Sequence, residues 1–125
     1  MDTEEKSKVV AIVDDDDLIR AALNGLMKEA GFPAQTFASA EEFLNSGALG
    51  HTACLIADIR MPGMSGLELQ SRLNEDHHRI PIIFITAQGD EKMRMQALRA
   101  GAVEFLTKPL DDEVLLDHVR AALNG

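Results

Sequence analysis

Short apolar runs alternate along this chain with longer amphipathic stretches, and the alternation holds from Val9 to Leu123. Val9–Val13, Ala53–Ala57 and Ile80–Ile85 are nearly continuous apolar segments, the pattern of strands buried on both faces. Pro81 suits only the first residues of its strand. Ala34–Phe37 is diluted by polar residues and suits a sheet edge, and Ala102–Leu106 is the last strand-like run. Between them lie helical patterns. Leu18, Ile19, Ala22, Leu23, Leu26, Met27 and Ala30 recur at helical spacing, and Gly31 suits a C-terminal cap. Ser39 can cap a short helix through Glu41, Glu42, Phe43 and Leu44. Leu67, Leu69 and Leu73 lie on a helix that opens near Ser65. Asp90 can cap a fourth helix through Met93, Ala97, Leu98 and Ala100, stopped by Gly101. Asp111, Asp112 and Glu113 favour the start of a last helix, with Val114, Leu115, Val119 and Leu123 as its buried stripe. Strict alternation predicts an α/β fold, a doubly wound five-stranded parallel sheet of (βα)5 type covered on both faces. The strand order 2-1-3-4-5 suits a weak second strand at the edge. It also makes strands one and three neighbours at the switch point where ligands bind.

The chain has 125 residues, enough for one domain spanning 1–125. Aromatics are only 4%, with no Trp or Tyr, so the core must be mainly aliphatic. The formal charge of −9 should repel nucleic acid and anionic membrane, and favours cations and basic partner patches. The single cysteine, Cys54, lies inside an apolar run and fits a small buried hydrophobe in a reducing compartment. No apolar stretch approaches the ~20 residues needed to span a bilayer. The acidic start, Met1–Glu5, is unlike a signal peptide. A cytoplasmic location is expected.

The chemistry sits where the strands end. Asp14 and Asp15 follow the first strand, Asp58 the third, Thr86 the fourth and Lys108 the fifth. In a parallel sheet these positions share one edge. Three carboxylates crowded together raise each other's pKa, and a hard divalent cation such as Mg²⁺ relieves that conflict. Asp16 and Asp17 fit better as helix-start acids. Asp58 can take a phosphoryl group as an aspartyl phosphate, and it is followed by the tight segment Arg60-Met61-Pro62-Gly63-Met64-Ser65-Gly66. Lys108 can pair with a phosphate oxygen as a mobile point charge. Its bond to Pro109 is a candidate cis peptide that aims the side chain inward. Thr86 can donate its hydroxyl to phosphate or simply satisfy a nearby backbone group.

Taken together and in this order, these residues resemble the receiver domain of two-component response regulators. The likeness covers Val9 to about Leu123 and rests on the acidic pair, the strand-ending Asp58, MPGMSG, Thr86-Ala87 and Lys108-Pro109. The stretches DIRMPGMSGLELQ, FITAQGD and GAVEFLTKPLDDEVLL look most like the FixJ-type subfamily, with the flavodoxin-like, CheY-like fold. The resemblance implies that a histidine kinase, or a phosphotransfer protein, donates a phosphoryl group to Asp58. It implies Mg²⁺ (or Mn²⁺) held by Asp15, Asp58 and the backbone carbonyl of Arg60, and through water by Asp14. It implies that Thr86 moves to the phosphate and that Phe105, the switch aromatic, rotates inward into the space Thr86 leaves. The surface of the fourth helix and fifth strand would then change, controlling a homodimer or an output domain, as in transcription regulation. Arg60 and Gln88 occupy the positions that tune hydrolysis in similar receivers. FixJ-type regulators usually continue into a DNA-binding domain, but no basic segment precedes Gly125, so these residues are not expected to bind nucleic acid.

Two other readings compete. A metal-dependent phosphatase or phosphotransferase with an aspartyl-phosphate intermediate typically carries a second acid two residues after the nucleophile, where this chain has Arg60. A phosphate-independent interaction module would not need all five pocket positions. His77 and His78 are expected in an exposed loop. His51 and Cys54 lack the second pair that would complete a zinc site. Met93 and Met95 fit either the core or a partner surface.

Overall fold

The computed structural model describes residues 8–124. Strands β1 (Val9–Val13), β2 (Ala34–Phe37), β3 (Thr52–Asp58), β4 (Ile82–Thr86) and β5 (Glu104–Thr107) form one parallel sheet in the order β2-β1-β3-β4-β5. Helices α1 (Asp17–Glu29), α2 (Ala40–Leu44), α3 (Gly66–Glu75), α4 (Glu91–Arg99) and α5 (Asp112–Asn124) make the crossovers. The expected fold class and strand order are therefore those of the molecule.

The continuous apolar runs split by alternate residues into two cores. Ala11, Val13, Leu55, Ala57, Ile82 and Phe84 face α2, α3 and α4, where Phe43, Leu69, Leu73 and Ala97 meet them. Val10, Ile12, Cys54, Ile56, Ile83 and Ile85 face α1 and α5, where Leu23, Met27, Leu115, Leu116 and Val119 close the layer. Two-sided burial is what a strand without polar alternation requires. Caps fix where several helices begin. Asp16 accepts from the N–H groups of Leu18 and Ile19, Ser39 from Glu42, and Asp90 from Met93. Ser65 and Glu68 form a reciprocal capping box.

Some boundaries differ from expectation. β3 starts at Thr52, one residue before the expected Ala53, and its last residue, Asp58, pairs with Ile85 as a strand-ending acid. β4 starts at Ile82, not Ile80, and Pro81 stays outside it, accepting at its carbonyl from Leu55 N–H at 2.9 Å. β5 starts at Glu104, not Ala102. Ala102 N–H is spent on the carbonyl of Ala97, closing the end of α4, and the chain joins the sheet only after that turn. Val114, expected in the buried stripe of α5, is exposed (42%), one position off the buried side, and Leu18, one of the residues at helical spacing on α1, is exposed (82%) in its first turn. Ala22 is exposed as well, and Leu116 takes the place expected of Val114. His77 is exposed, whereas His78 is half-buried. Cys54 is buried and free, and burial pushes its thiol up to about 12, so it is inert. Among the described residues, no helix is long and apolar enough to cross a membrane.

Candidate functional site

The carboxyl ends of β1, β3, β4 and β5 meet at one edge of the sheet and bring their functional groups together. Asp14 follows β1, and its own N–H donates to the carbonyl of Phe37, which anchors it beside β2. Its side chain is fully buried and accepts from Asp16 N–H at 2.8 Å. Arg20, which the sequence reading did not single out, donates from Nη1 to the Asp14 carbonyl at 2.8 Å. Asp15 is exposed at the mouth. Asp58 comes from the neighbouring strand and is buried. Carboxylate oxygens of Asp14, Asp15 and Asp58 lie within 4.8 Å of one another. An all-oxygen, acidic donor set of this kind suits a hard divalent cation, and it is the acidic triad typical of receiver metal sites.

Lys108 reaches this cluster from the far side of the sheet. Its N–H donates to the Thr86 carbonyl at 2.8 Å, and its peptide bond to Pro109 is cis. Lys108 Nζ lies 3.4 Å from Asp14 Oδ2 and 3.8 Å from Asp58 Oδ2. The electrostatics follow from this crowding. Burial, then the charge of Asp14, pushes the Asp58 carboxyl up to about 6, with Lys108 opposing the rise. Burial likewise raises Asp14, against the Asp16 N–H and Lys108. The pocket is short of positive charge, even with its lysine in place.

Thr86 is buried, and its hydroxyl donates to the Gln88 carbonyl at 3.3 Å. That is the backbone-satisfying arrangement the sequence left open. Phe105 is buried. The ring packs at Gly89: a Cβ on Gly89 would lie 2.6 Å from Phe105 Cε1 and 3.1 Å from Thr86 Cγ2. Gln88 and Arg60 are both exposed. Gly89 carried no sequence signal, because a glycine in a polar loop reads only as a turn.

The connection after Asp58 is pinned at its base. Gly66 N–H donates to the Ile59 carbonyl at 2.9 Å, and a Cβ on Gly66 would stand 2.5 Å from the Asp58 carbonyl oxygen. Only glycine lets α3 begin so close to the strand end. Gln70 is buried on α3 and donates to the Ala97 carbonyl of α4 at 3.0 Å. Its signal was present in the sequence, as a polar residue beside the buried Leu69 and Leu73. Among the described residues, no buried side-chain nitrogen or oxygen lacks a hydrogen-bond partner.

Comparison with known proteins gives a consistent picture. The model of the response regulator receiver domain matches residues 10–120. Response regulator protein TodT of Pseudomonas putida is 45% identical over 119 residues, covering 95% of this chain and 52% of TodT. Transcriptional regulatory protein FixJ of Azorhizobium caulinodans is 38% identical over 118 residues, covering 94% of this chain and 56% of that protein. The crystal structure of FixJ-N superposes with a TM-score of 0.84 at 38% identity, covering 94% of each chain. The chain spans about half the length of the curated relatives it matches.

Proposed function

Because this chain belongs to the response regulator receiver domain family, we propose that Asp58 accepts the phosphoryl group and that Asp14, Asp15, Thr86 and Lys108 serve its transfer. A receiver is a phosphoacceptor signalling domain rather than a conventional enzyme, and it implies a cognate histidine kinase. The observation that carries the residue assignment is the Lys108 ammonium within 4 Å of two carboxylates that end neighbouring segments of the sheet. One Asp58 oxygen attacks the phosphorus of a phosphohistidine. A P–O bond forms as the P–N bond breaks, and its electron pair leaves on the imidazole, neutral when the other ring nitrogen is protonated. The phosphoryl group remains as an acyl phosphate. Lys108, released from Asp58, then pairs with a phosphate oxygen.

Asp15, Asp58 and the Arg60 carbonyl would hold Mg²⁺ (or Mn²⁺), with Asp14 acting through water. Such an ion supplies the positive charge that three carboxylates and an incoming phosphate lack. The division between the two aspartates is supported by their surroundings: Asp14 is buried and already engaged by Asp16 and Lys108, and Asp15 is exposed. Arg60 and Gln88 flank the approach of water and tune hydrolysis.

Phosphorylation draws the Thr86 hydroxyl from the Gln88 carbonyl to a phosphate oxygen. That releases the segment leading into α4. Phe105 then rotates inward into the space Thr86 leaves, a bias between two states set by the phosphate. The responding face carries Lys92, Met95, Gln96 and Arg99 of α4 around a shallow groove. We take it to be the surface for a homodimer or an output domain, in a cytoplasmic regulator of transcription, with all residues 1–125 forming one receiver. The deciding experiment incubates the protein with Mg²⁺ and acetyl phosphate and weighs it. One added phosphoryl mass is expected, absent in Asp58→Asn, which keeps its fold. Label persisting in that variant refutes the assignment.

A further inference from the structure

We propose that Glu41, on α2, is a positioning residue for phosphoryl transfer: its carboxylate clamps the β3–α3 connection that carries Arg60. The inference rests on the reading of Asp58 given above.

Two observations meet at this contact. Glu41 Oε2 accepts a hydrogen bond from Met64 N–H at 2.9 Å, across 23 residues of sequence. The same oxygen lies 2.7 Å from where a Cβ on Gly63 would stand, and Gly63 has φ +77. The connection thus has a backbone bend and a missing side chain at the spot the carboxylate enters. Besides Glu41, the segment is held by Met61, buried in the core, and at its C-terminal base by the Gly66 N–H to Ile59 and the Ser65–Glu68 capping box; Glu41 supplies the polar tie to the outer arm, at Met64. Arg60 stands between Asp58 and that base, and its main-chain carbonyl is one of the proposed oxygen donors. The clamp therefore fixes the outer arm of a loop whose inner arm borders the reacting carboxylate. α2 can serve as the anchor because Phe43 is buried and packs edge-on to Phe37 at 5.2 Å, and Ser39 caps the helix. The Glu41 carboxyl is held below its usual range, by its own N–H and then by Met64 N–H, so it is an ionised acceptor at neutral pH. A bond from a backbone donor to an ionised acceptor is among the stronger hydrogen bonds. Small misplacements of a reacting group are costly to rate.

The test uses the whole chain with Glu41→Ala and Glu41→Gln. Magnesium affinity is read by calorimetric titration, and the rate of Asp58 phosphorylation by acetyl phosphate is read at saturating Mg²⁺. Glu41→Ala is expected to weaken Mg²⁺ binding and slow phosphorylation by roughly threefold to tenfold, with the melting temperature nearly unchanged. Glu41→Gln keeps an acceptor oxygen and should stay within about twofold of the wild type. In the wild type, the Met64 amide should exchange with solvent far more slowly than an open loop amide. Unchanged Mg²⁺ affinity and rate in Glu41→Ala overturn the proposal, as does fast exchange at Met64, and either result leaves Asp58 as phosphoacceptor. A wild type that takes no label on Asp58 overturns both.

Discussion

With its carboxyl pushed up to about 6 by burial and by Asp14, Asp58 carries at neutral pH a charge that the folded state disfavours. The folded pKa lies above the ordinary 3.8, so this group's contribution to stability is full below that value and is lost as pH rises through about 6. In chelator, Asp58→Asn is therefore expected to be more stable than the wild type at pH 7, by about 1–3 kcal/mol. The difference should shrink to a small remainder near pH 4. Urea unfolding of both proteins at the two pH values measures it, and an equal or lower midpoint for the variant at pH 7 would contradict the electrostatic account. Adding Mg²⁺ should narrow the gap by stabilising the wild type alone. Asp14, Asp15, Asp58, Thr86 and Lys108 were all legible in the sequence, because each stands at the end of an apolar run and a parallel sheet brings such ends together. Arg20 and Glu41 were not. Their contacts with the site are to backbone groups, and nothing in a side-chain pattern marks a carbonyl or an N–H that needs a contact.

At the scale of elements, α4 is the least embedded of the crossovers, with Ala97 as its buried residue. Its far end is tied to α3 through Gln70 to Ala97 and Asn74 to Ala100. Its near end is joined to β4 by the segment holding Gln88 and Gly89. Motion in α4 should accordingly pivot about its last turn. Gly89→Ala tests the near end. The new methyl would overlap the Phe105 ring, so the ring or the segment must shift. A loss of about 1–3 kcal/mol is expected, with changed Phe105 ring resonances and weakened coupling between phosphate and α4. A variant with native stability and native ring resonances would show that the space is not needed. The boundaries misjudged from sequence share a cause at this scale. Ala102 and Val103, like Ile80 and Pro81, are apolar residues used in the turns that deliver strands to the sheet. Hydrophobicity alone does not separate such a turn from the strand it feeds. Leu18 and Val114 add the converse lesson, since an apolar residue beside a buried stripe need not belong to it.

For the molecule as a whole, the net charge of −9 contrasts with the cationic Lys92, Arg94 and Arg99 on α4. Phosphorylation of Asp58 is expected to shift the protein from monomer toward dimer through this helix and β5. Lys92→Glu and Arg99→Glu together should weaken the dimer at least tenfold without changing the phosphorylation rate. Sedimentation at high concentration, with and without acetyl phosphate, decides this, and a monomer in both conditions would count against the surface. The close seat of Gly66 against the Asp58 carbonyl has a consequence here. The strand end that carries Asp58 has no room to move closer to α3. In the switch proposed above, the message would leave across the opposite wall, through Thr86. Replacing this glycine with even an alanine would press a methyl group on the Asp58 carbonyl and deform the seat of the acid itself.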